Sequence, residues 1–317
     1  MSTRHDTAAR GFSESLGSLA ALLAEQTLTD LHRNADGSIH VRHYGGEPAA
    51  VDVRISDAQA HSIVRLAADL AGTVVTEDRP LLRSTLPDGS RFQGVIPPVS
   101  PAPAFSIRRH RARDLSLDDF VGQGILTEPQ CRAIRVAIQD RRNILITGET
   151  GVGKTTLLNA MLREPCVMAG RLFIAEDTRE IRAPGHDVVQ LCTSDTVSLR
   201  DLVVTALRMR PDRIVIGETR SGDAAIEMLK AWTTAHRGGF STLHADSAGA
   251  FVLRLTTLLQ EVVAGGTDAL IGYAVDLVAH LVSTPSGPRC AELLSVGWED
   301  GALSLQTDPR TSQGDRP

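Results

Sequence analysis

Gly148-Glu149-Thr150-Gly151-Val152-Gly153-Lys154-Thr155, followed by Thr156, is the stretch that decides the fold of this 317-residue chain. It satisfies GxxxxGK[ST] in full. The apolar run 143–147 before it reads as a strand, and 154–162 after it reads as a helix, the setting the pattern needs. Glycines there let backbone N–H groups turn inward around phosphates, and the helix N-terminus adds positive potential. Lys154 is expected to reach the β- and γ-phosphates of ATP, and Thr155 to offer its hydroxyl oxygen to Mg2+. The alternative is a chance match in a glycine-rich turn, which the flanking strand and helix argue against.

Outward from this loop the punctuation is regular. Helical and strand patterns alternate to about Ala245, which predicts an α/β domain with a mainly parallel sheet covered by helices. Upstream, 116–123 reads as a short helix, and Thr127-Glu-Pro-Gln130 as a capping box opening a helix with Cys131, Ile134, Ala137 and Ile138 on its buried side. Downstream, 290–298 and 302–306 flank an Asp300-Gly301 turn and predict a hairpin. The chain before about Arg113 reads as a smaller α+β segment. It has helices at 16–28 and 56–71 and strands at 38–43, 81–84, 91–96 and 105–108. The expected division is an N-terminal α+β domain over 1–112 with a loose first dozen residues, a P-loop ATPase domain over 113–306, and a flexible tail over 307–317.

Composition removes several classes. Aromatic residues are 3% of the chain, which argues against a stacking platform for single-stranded nucleic acid. Lys and Arg number 33 against 38 acids, so any DNA contact must be local. Cys131, Cys166, Cys192 and Cys290 show no CxxC spacing, which argues against a zinc ribbon and predicts small buried hydrophobes in a reducing compartment. No apolar run approaches the roughly 18 residues of a membrane span, and the N-terminus carries no signal-peptide core. The expected location is the cytoplasm, or the periphery of a membrane. The basic run 108–113 reads either as a solvated linker or as a phosphate or subunit contact.

Phosphoryl transfer also needs acids for Mg2+ and for the attacking water. One apolar strand from Leu172 delivers Glu176, Asp177 and Glu180 at its C-terminal end, where ligands bind in α/β sheets. A second, Arg213-Ile-Val-Ile216, leads through Gly217 to Glu218, with glycine where such a strand usually carries Asp. Glu180 has the alternative of a solvated loop acid. His236 and His244 bracket a Gly-Gly turn, and His244 reads either as a γ-phosphate sensor or as a core histidine. Arg200, Arg208 and Arg210 lie on or just after a helix read over 199–209, and Arg220 follows Glu218, but spacing alone does not say which of them reaches a phosphate.

Four segments in order resemble those of the type II and type IV secretion ATPases: GETGVGKTT (148–156), FIAEDTREI (173–181), LRMRPDRIVIGETR (207–220) and AHRGGFSTLHADSA (235–248). The segments 86–99 and 103–110 are also similar to the N-terminal domain of the conjugative members. Length and the lack of a tetracysteine insertion favour the conjugal-transfer branch of TrbB type over type II secretion. The resemblance spans about 15–285. It implies a RecA-like P-loop fold and a homo-oligomer, a hexameric ring, whose ATP site lies between the two domains. It further implies partners among the inner-membrane components of a type IV secretion machine. By residue match it gives Lys154 and Thr155 to phosphate and Mg2+, Glu218 to the Walker B position, and Glu180 to the water-orienting base. His244 falls in the histidine box, and Arg91, Arg108 and Arg210 match arginines near the γ-phosphate. The expected function is an ATP-driven motor of conjugative secretion, for pilus assembly or DNA-protein transfer. Rival readings are a type II secretion or pilus ATPase, a DNA translocase or helicase, and a non-catalytic nucleotide switch.

Overall fold

The computed structural model of the chain describes residues 2–43, 46–109, 114–194, 196–234 and 236–307. Backbone contacts divide the chain into two compact units, Met1–Arg111 and Ala112–Pro317. Residues 110–113 of the basic run and 308–317 of the expected tail lie outside the described residues.

The first unit runs α1 (Ser2–Leu16), α2 (Leu19–Ala24), β1 (Leu28–Arg33), β2 (Ile39–His43), β3 (Ala49–Val51), α3 (Asp57–Leu70), β4 (Leu81–Thr85), β5 (Arg91–Val95) and β6 (Ala104–Arg108). Its strands form one sheet in the order β3-β2-β1-β6-β5-β4. Ser56 caps α3, its hydroxyl accepting from the Gln59 N–H at 3.1 Å. The helix then buries Ala60, Ile63, Val64 and Ala67 in a core shared with Leu31, Phe92 and Ile107.

The first dozen residues form most of α1, and Phe12 packs edge-on against Phe92 at 6.2 Å between ring centres. One expectation needs correction: the segment 16–28 is not one helix. Gly17, at φ +51°, ends α1, α2 follows, and Leu28 already begins β1. β5 and β6 pair so that Arg91 stands directly opposite Arg108, whose Nε lies 3.9 Å from Asp30 Oδ1 on β1.

The second unit runs α4 (Leu117–Gly122), α5 (Glu128–Gln139), β7 (Ile144–Gly148), α6 (Lys154–Leu162), α7 (Pro165–Met168), β8 (Leu172–Glu176), β9 (Val188–Cys192), α8 (Leu199–Ala206), β10 (Arg213–Ile216), α9 (Gly222–Thr233), β11 (Phe240–Leu243), α10 (Phe251–Gln260), α11 (Asp268–Ala274), β12 (Leu277–Thr284), β13 (Gly287–Glu299) and β14 (Ala302–Thr307). The eight strands lie in the order β14-β13-β12-β7-β11-β10-β8-β9. The six from β12 to β9 are parallel, and the terminal hairpin adds two antiparallel strands, so the sheet is mixed.

Both faces of this sheet are covered. Ile144 and Ile146 pack into one apolar cluster with α5 and α6, while Leu145 packs into the other with α8, α9, α10 and α11, as the two-residue period of a strand requires. Of the four cysteines, Cys131 and Cys290 are buried as expected, whereas Cys192 is half-buried and Cys166 is exposed. Parallel pairing brings the C-terminal ends of β7, β8, β10 and β11 to one edge, where Gly148, Glu176, Glu218 and His244 stand.

At the opposite edge a fully buried Asn143 ties four elements together. Its Oδ1 accepts from the N–H groups of Gly238 (2.8 Å) and Gly239 (3.0 Å), and its Nδ2 donates to the carbonyls of Ala274 (2.7 Å) and Trp232 (3.2 Å). Asn143→Ala strands buried polar groups that cost about 1–3 kcal/mol each, and partial relaxation brings the expected loss to about 3–5 kcal/mol. Both tryptophans of the chain, Trp232 and Trp298, lie in this unit, so urea unfolding followed by tryptophan fluorescence reads the loss directly. A midpoint unchanged from wild type contradicts the prediction.

Candidate nucleotide site

The phosphate loop leaves β7 at Gly148 and re-enters regular structure at Lys154. Gly148 has φ +141°, and a Cβ there would stand 2.3 Å from the carbonyl oxygen of Leu281 on β12, so only glycine lets the two strands approach this closely. Gly151 and Gly153 also take positive φ, at +82° and +102°, which bends the loop over the start of α6. Val152 is buried beneath it, whereas Glu149, Thr150 and Gly151 are exposed and Thr156 is half-buried in the first turn of α6. The root of the loop is pinned from behind, with Thr147 Oγ1 lying 3.0 Å from Nδ1 of the buried His280 on β12.

Lys154 is 7% exposed, and its Nζ donates to the carbonyls of Gly148 at 2.8 Å and Glu149 at 2.7 Å. Burial lowers its pKa, partly offset by Glu218. One residue on, the Thr155 hydroxyl donates to Glu180 Oε2 at 3.3 Å. Thr155, Glu180 and Glu218 together offer the hard oxygen donors that Mg2+ takes alongside nucleotide phosphates, so the donor chemistry fits that ion.

Glu218 sits two residues past β10, between Arg220 and His244. Arg220 Nη2 donates to its Oε2 at 2.5 Å, and His244 Nε2 lies 3.1 Å from its Oε1. Burial pushes the Glu218 carboxyl up, but Arg220, His244 and Lys154 outweigh it and hold the group below its ordinary value. Burial, with Lys154 and Arg220 nearby, lowers the His244 imidazole below its ordinary value of 6.5, which leaves it neutral at pH 7. Thr150 Oγ1 of the phosphate loop lies 3.5 Å from the same Nε2, so His244 links the loop to Glu218.

Several expected site residues are placed otherwise. Glu176, only 2% exposed, points its carboxylate into the chain. Oε2 accepts from the N–H groups of Glu180 and Ile181, each at 2.8 Å, and Oε1 accepts from Gln190 Nε2 at 2.6 Å. All three of these bonds are to the loop 177–181 and the edge strand β9. Asp177 is exposed on that loop, with the Thr193 hydroxyl 3.4 Å from its Oδ1. Arg210, at φ +51°, precedes β10 and so stands at the sheet edge opposite the phosphate loop, away from this chain's own site. His236 likewise precedes β11 while His244 follows it, so the two histidines stand at opposite ends of one strand. Arg91 and Arg108 belong to the first unit, side by side.

Sequence reasoning missed Arg220 as the partner of Glu218, although the two-residue spacing past a strand end was visible. It also missed Asn159, one helical turn beyond Thr155 on the same face of α6.

Comparison with known proteins agrees with this geometry. The sequence matches the type II/IV secretion system protein family over residues 13–311. It is 37% identical to the probable conjugal transfer protein TrbB of Sinorhizobium fredii, across 98% of this chain and 96% of that one. It is 38% identical to the conjugal transfer protein TrbB of Rhizobium radiobacter, across 92% of this chain and 91% of that one. The Legionella pneumophila ATPase DotB shares its fold, with a TM-score of 0.63 at 20% identity over 89% of this chain and 80% of that one. A near full-length match of this kind, over a chain whose phosphate loop and acids meet at one sheet edge, means that the protein belongs to the type II/IV secretion system protein family and is one of its ATPases.

Proposed function

We propose that the protein is the ATP-hydrolysing motor of a conjugative type IV secretion system, acting on a RecA-like P-loop domain. Homology to the TrbB conjugal transfer proteins over almost the whole chain supports the biological setting. The central observation is the convergence of the phosphate loop, Glu180, Glu218 and His244, with the Thr155 hydroxyl 3.3 Å from Glu180. Six parallel strands with the loop leaving the inner strand β7 support the RecA-like reading.

In this reading the loop N–H groups and Lys154 hold the triphosphate, and Thr155 with Glu218 carries Mg2+. The bound ion would neutralise charge on the β- and γ-phosphate oxygens. Glu180 orients the attacking water and takes its proton. His244 reports on the γ-phosphate through Thr150 and Glu218. Arg91 and Arg108, opposite each other on β5 and β6, are assigned to the triphosphate by the family resemblance alone. Loss of the γ-phosphate removes that anion, and this change is coupled to movement. The working form is a hexameric ring in the cytoplasm, at the periphery of the inner membrane, docked on membrane components of the secretion machine. No helix among the described residues is long and apolar enough to cross a membrane.

One experiment tests the reading: ATP turnover by the purified chain, measured with its mass in solution. Expected are Mg2+-dependent turnover that EDTA abolishes and added Mg2+ restores, a particle of six 33.9 kDa chains, and about a tenfold loss in the Arg91→Ala/Arg108→Ala variant. Near-zero turnover in the assembled particle with ATP binding intact selects a nucleotide switch. Salt-sensitive stimulation by DNA selects a translocase.

A further inference from the structure

The five-residue path from Glu176 to Glu180 leaves the sheet and returns to the phosphate loop without regular structure of its own. Surface loops commonly leave such backbone to water. Here side chains bind it group by group. Glu176 accepts from the N–H groups of Glu180 and Ile181. Asn159 Nδ2 donates to the Glu180 carbonyl at 3.3 Å, and Asn159 Oδ1 accepts from the Arg182 N–H at 2.9 Å. Gln190 Nε2 donates to the Ile181 carbonyl at 2.8 Å while also holding Glu176 Oε1. Five consecutive backbone polar groups, from the Glu180 N–H to the Arg182 N–H, are thus satisfied by three side chains.

The three come from separate elements. Asn159, 3% exposed, is on α6, the helix that also carries Lys154 and Thr155. Glu176 ends β8, and Gln190 is in the edge strand β9, half-buried. A carboxylate suits position 176 because it faces three donors. An amide there would turn an N–H2 group towards one of them. Asn159 lies four residues after Thr155, so one helix face sets both the hydroxyl that meets the Glu180 side chain and the amide that grips the Glu180 backbone.

We propose that Asn159, Glu176 and Gln190 are positioning residues, a clasp that fixes the backbone on both sides of Glu180 and so aims its carboxylate at Thr155 and the water beside the γ-phosphate. This rests on the reading of Glu180 as the residue that serves hydrolysis. The clasp acts on kcat and leaves nucleotide affinity alone, since none of the three belongs to the phosphate loop.

Gln190→Met tests it, because the replacement keeps length at a half-buried edge position and removes both donated hydrogen bonds. A displacement of about 1 Å at a reacting group costs up to about 100-fold. The expected result is a kcat lower by about 10-fold or more, with KM for ATP within about 2-fold of wild type and the melting temperature little changed. Asn159→Asp, which keeps the acceptor for Arg182 and loses the donor to the Glu180 carbonyl, is expected to behave alike. The decisive readout is a double-mutant cycle with Glu180→Asp, whose shortened acid is already misplaced. There Gln190→Met should lose less than about 2-fold more, since groups acting through one another are not additive. Equal fold-losses in both backgrounds overturn the proposal, as does a wild-type kcat in both clasp variants. Wild-type turnover by Glu180→Gln overturns the reading of Glu180 itself, and that outcome is separate from any result at Gln190.

Discussion

Lys154→Ala is expected to lower ATP turnover by at least about 1,000-fold and ATP affinity by about 10- to 100-fold. The ammonium is already drawn into the loop, donating to the Gly148 and Glu149 carbonyls, so it is pre-positioned over the place where β- and γ-phosphates would lie. Phosphates are far stronger acceptors for it than two neutral carbonyls, so binding should turn the group towards the nucleotide. The larger effect on turnover follows from charge spreading onto the leaving and transferring oxygens in the transition state, where a fixed cation in a dry site counts most. Stability should move little, because burial works against the Lys154 charge in the folded chain and its removal relieves that penalty. Steady-state turnover, titration with a fluorescent ATP analogue and a melting curve separate these effects. Turnover within about tenfold of wild type sinks the site assignment.

The legible parts were those that local chemistry determines. The phosphate loop, α6, the Thr127 capping box and the Asp300-Gly301 hairpin depend on neighbours in sequence, and each is found where its residues predict. β1, β9 and β12 were not legible. β9 is half-buried along its whole length at the sheet edge, so it carries no two-residue alternation to read. α1 hid for a related reason, since Phe12 and Leu16 are its only described residues that are well buried, within an otherwise polar run.

In the site, the residue types were visible and their directions were not. Glu176, Asp177 and Glu180 look equivalent as three acids in one loop. Only the fold turns Glu176 inward onto backbone N–H groups and Glu180 outward onto Thr155. His236 and His244 bracket a Gly-Gly pair in the sequence, yet β11 runs between them and carries only the second to the ligand edge. The same holds for Arg210, whose strand begins at the far edge. Within one chain that arginine has no route to the loop, so a role at a γ-phosphate would require a neighbouring copy.

Glu180→Gln should separate binding from chemistry: ATP-analogue affinity within about 3-fold of wild type, with turnover lower by about 100- to 10,000-fold. The amide is nearly isosteric, and its oxygen can still accept from the Thr155 hydroxyl, so the loop and its nucleotide contacts survive. What goes is the basic oxygen that takes a proton from water. Glu218 is the rival for that task, and its surroundings argue against it. Arg220 at 2.5 Å and the nearby Lys154 help hold its carboxyl below the ordinary range, and a group stabilised as the anion is a weaker base. Glu218→Gln is therefore expected to weaken the Mg2+ dependence, raising the ion concentration needed for half-maximal turnover, whereas Glu180→Gln leaves that concentration unchanged and removes the chemical step at every Mg2+ level. Single-turnover hydrolysis measured across a Mg2+ series distinguishes the two. Recovery of the Glu180→Gln rate at high Mg2+ would show that this acid serves the ion and would return the role of base to Glu218.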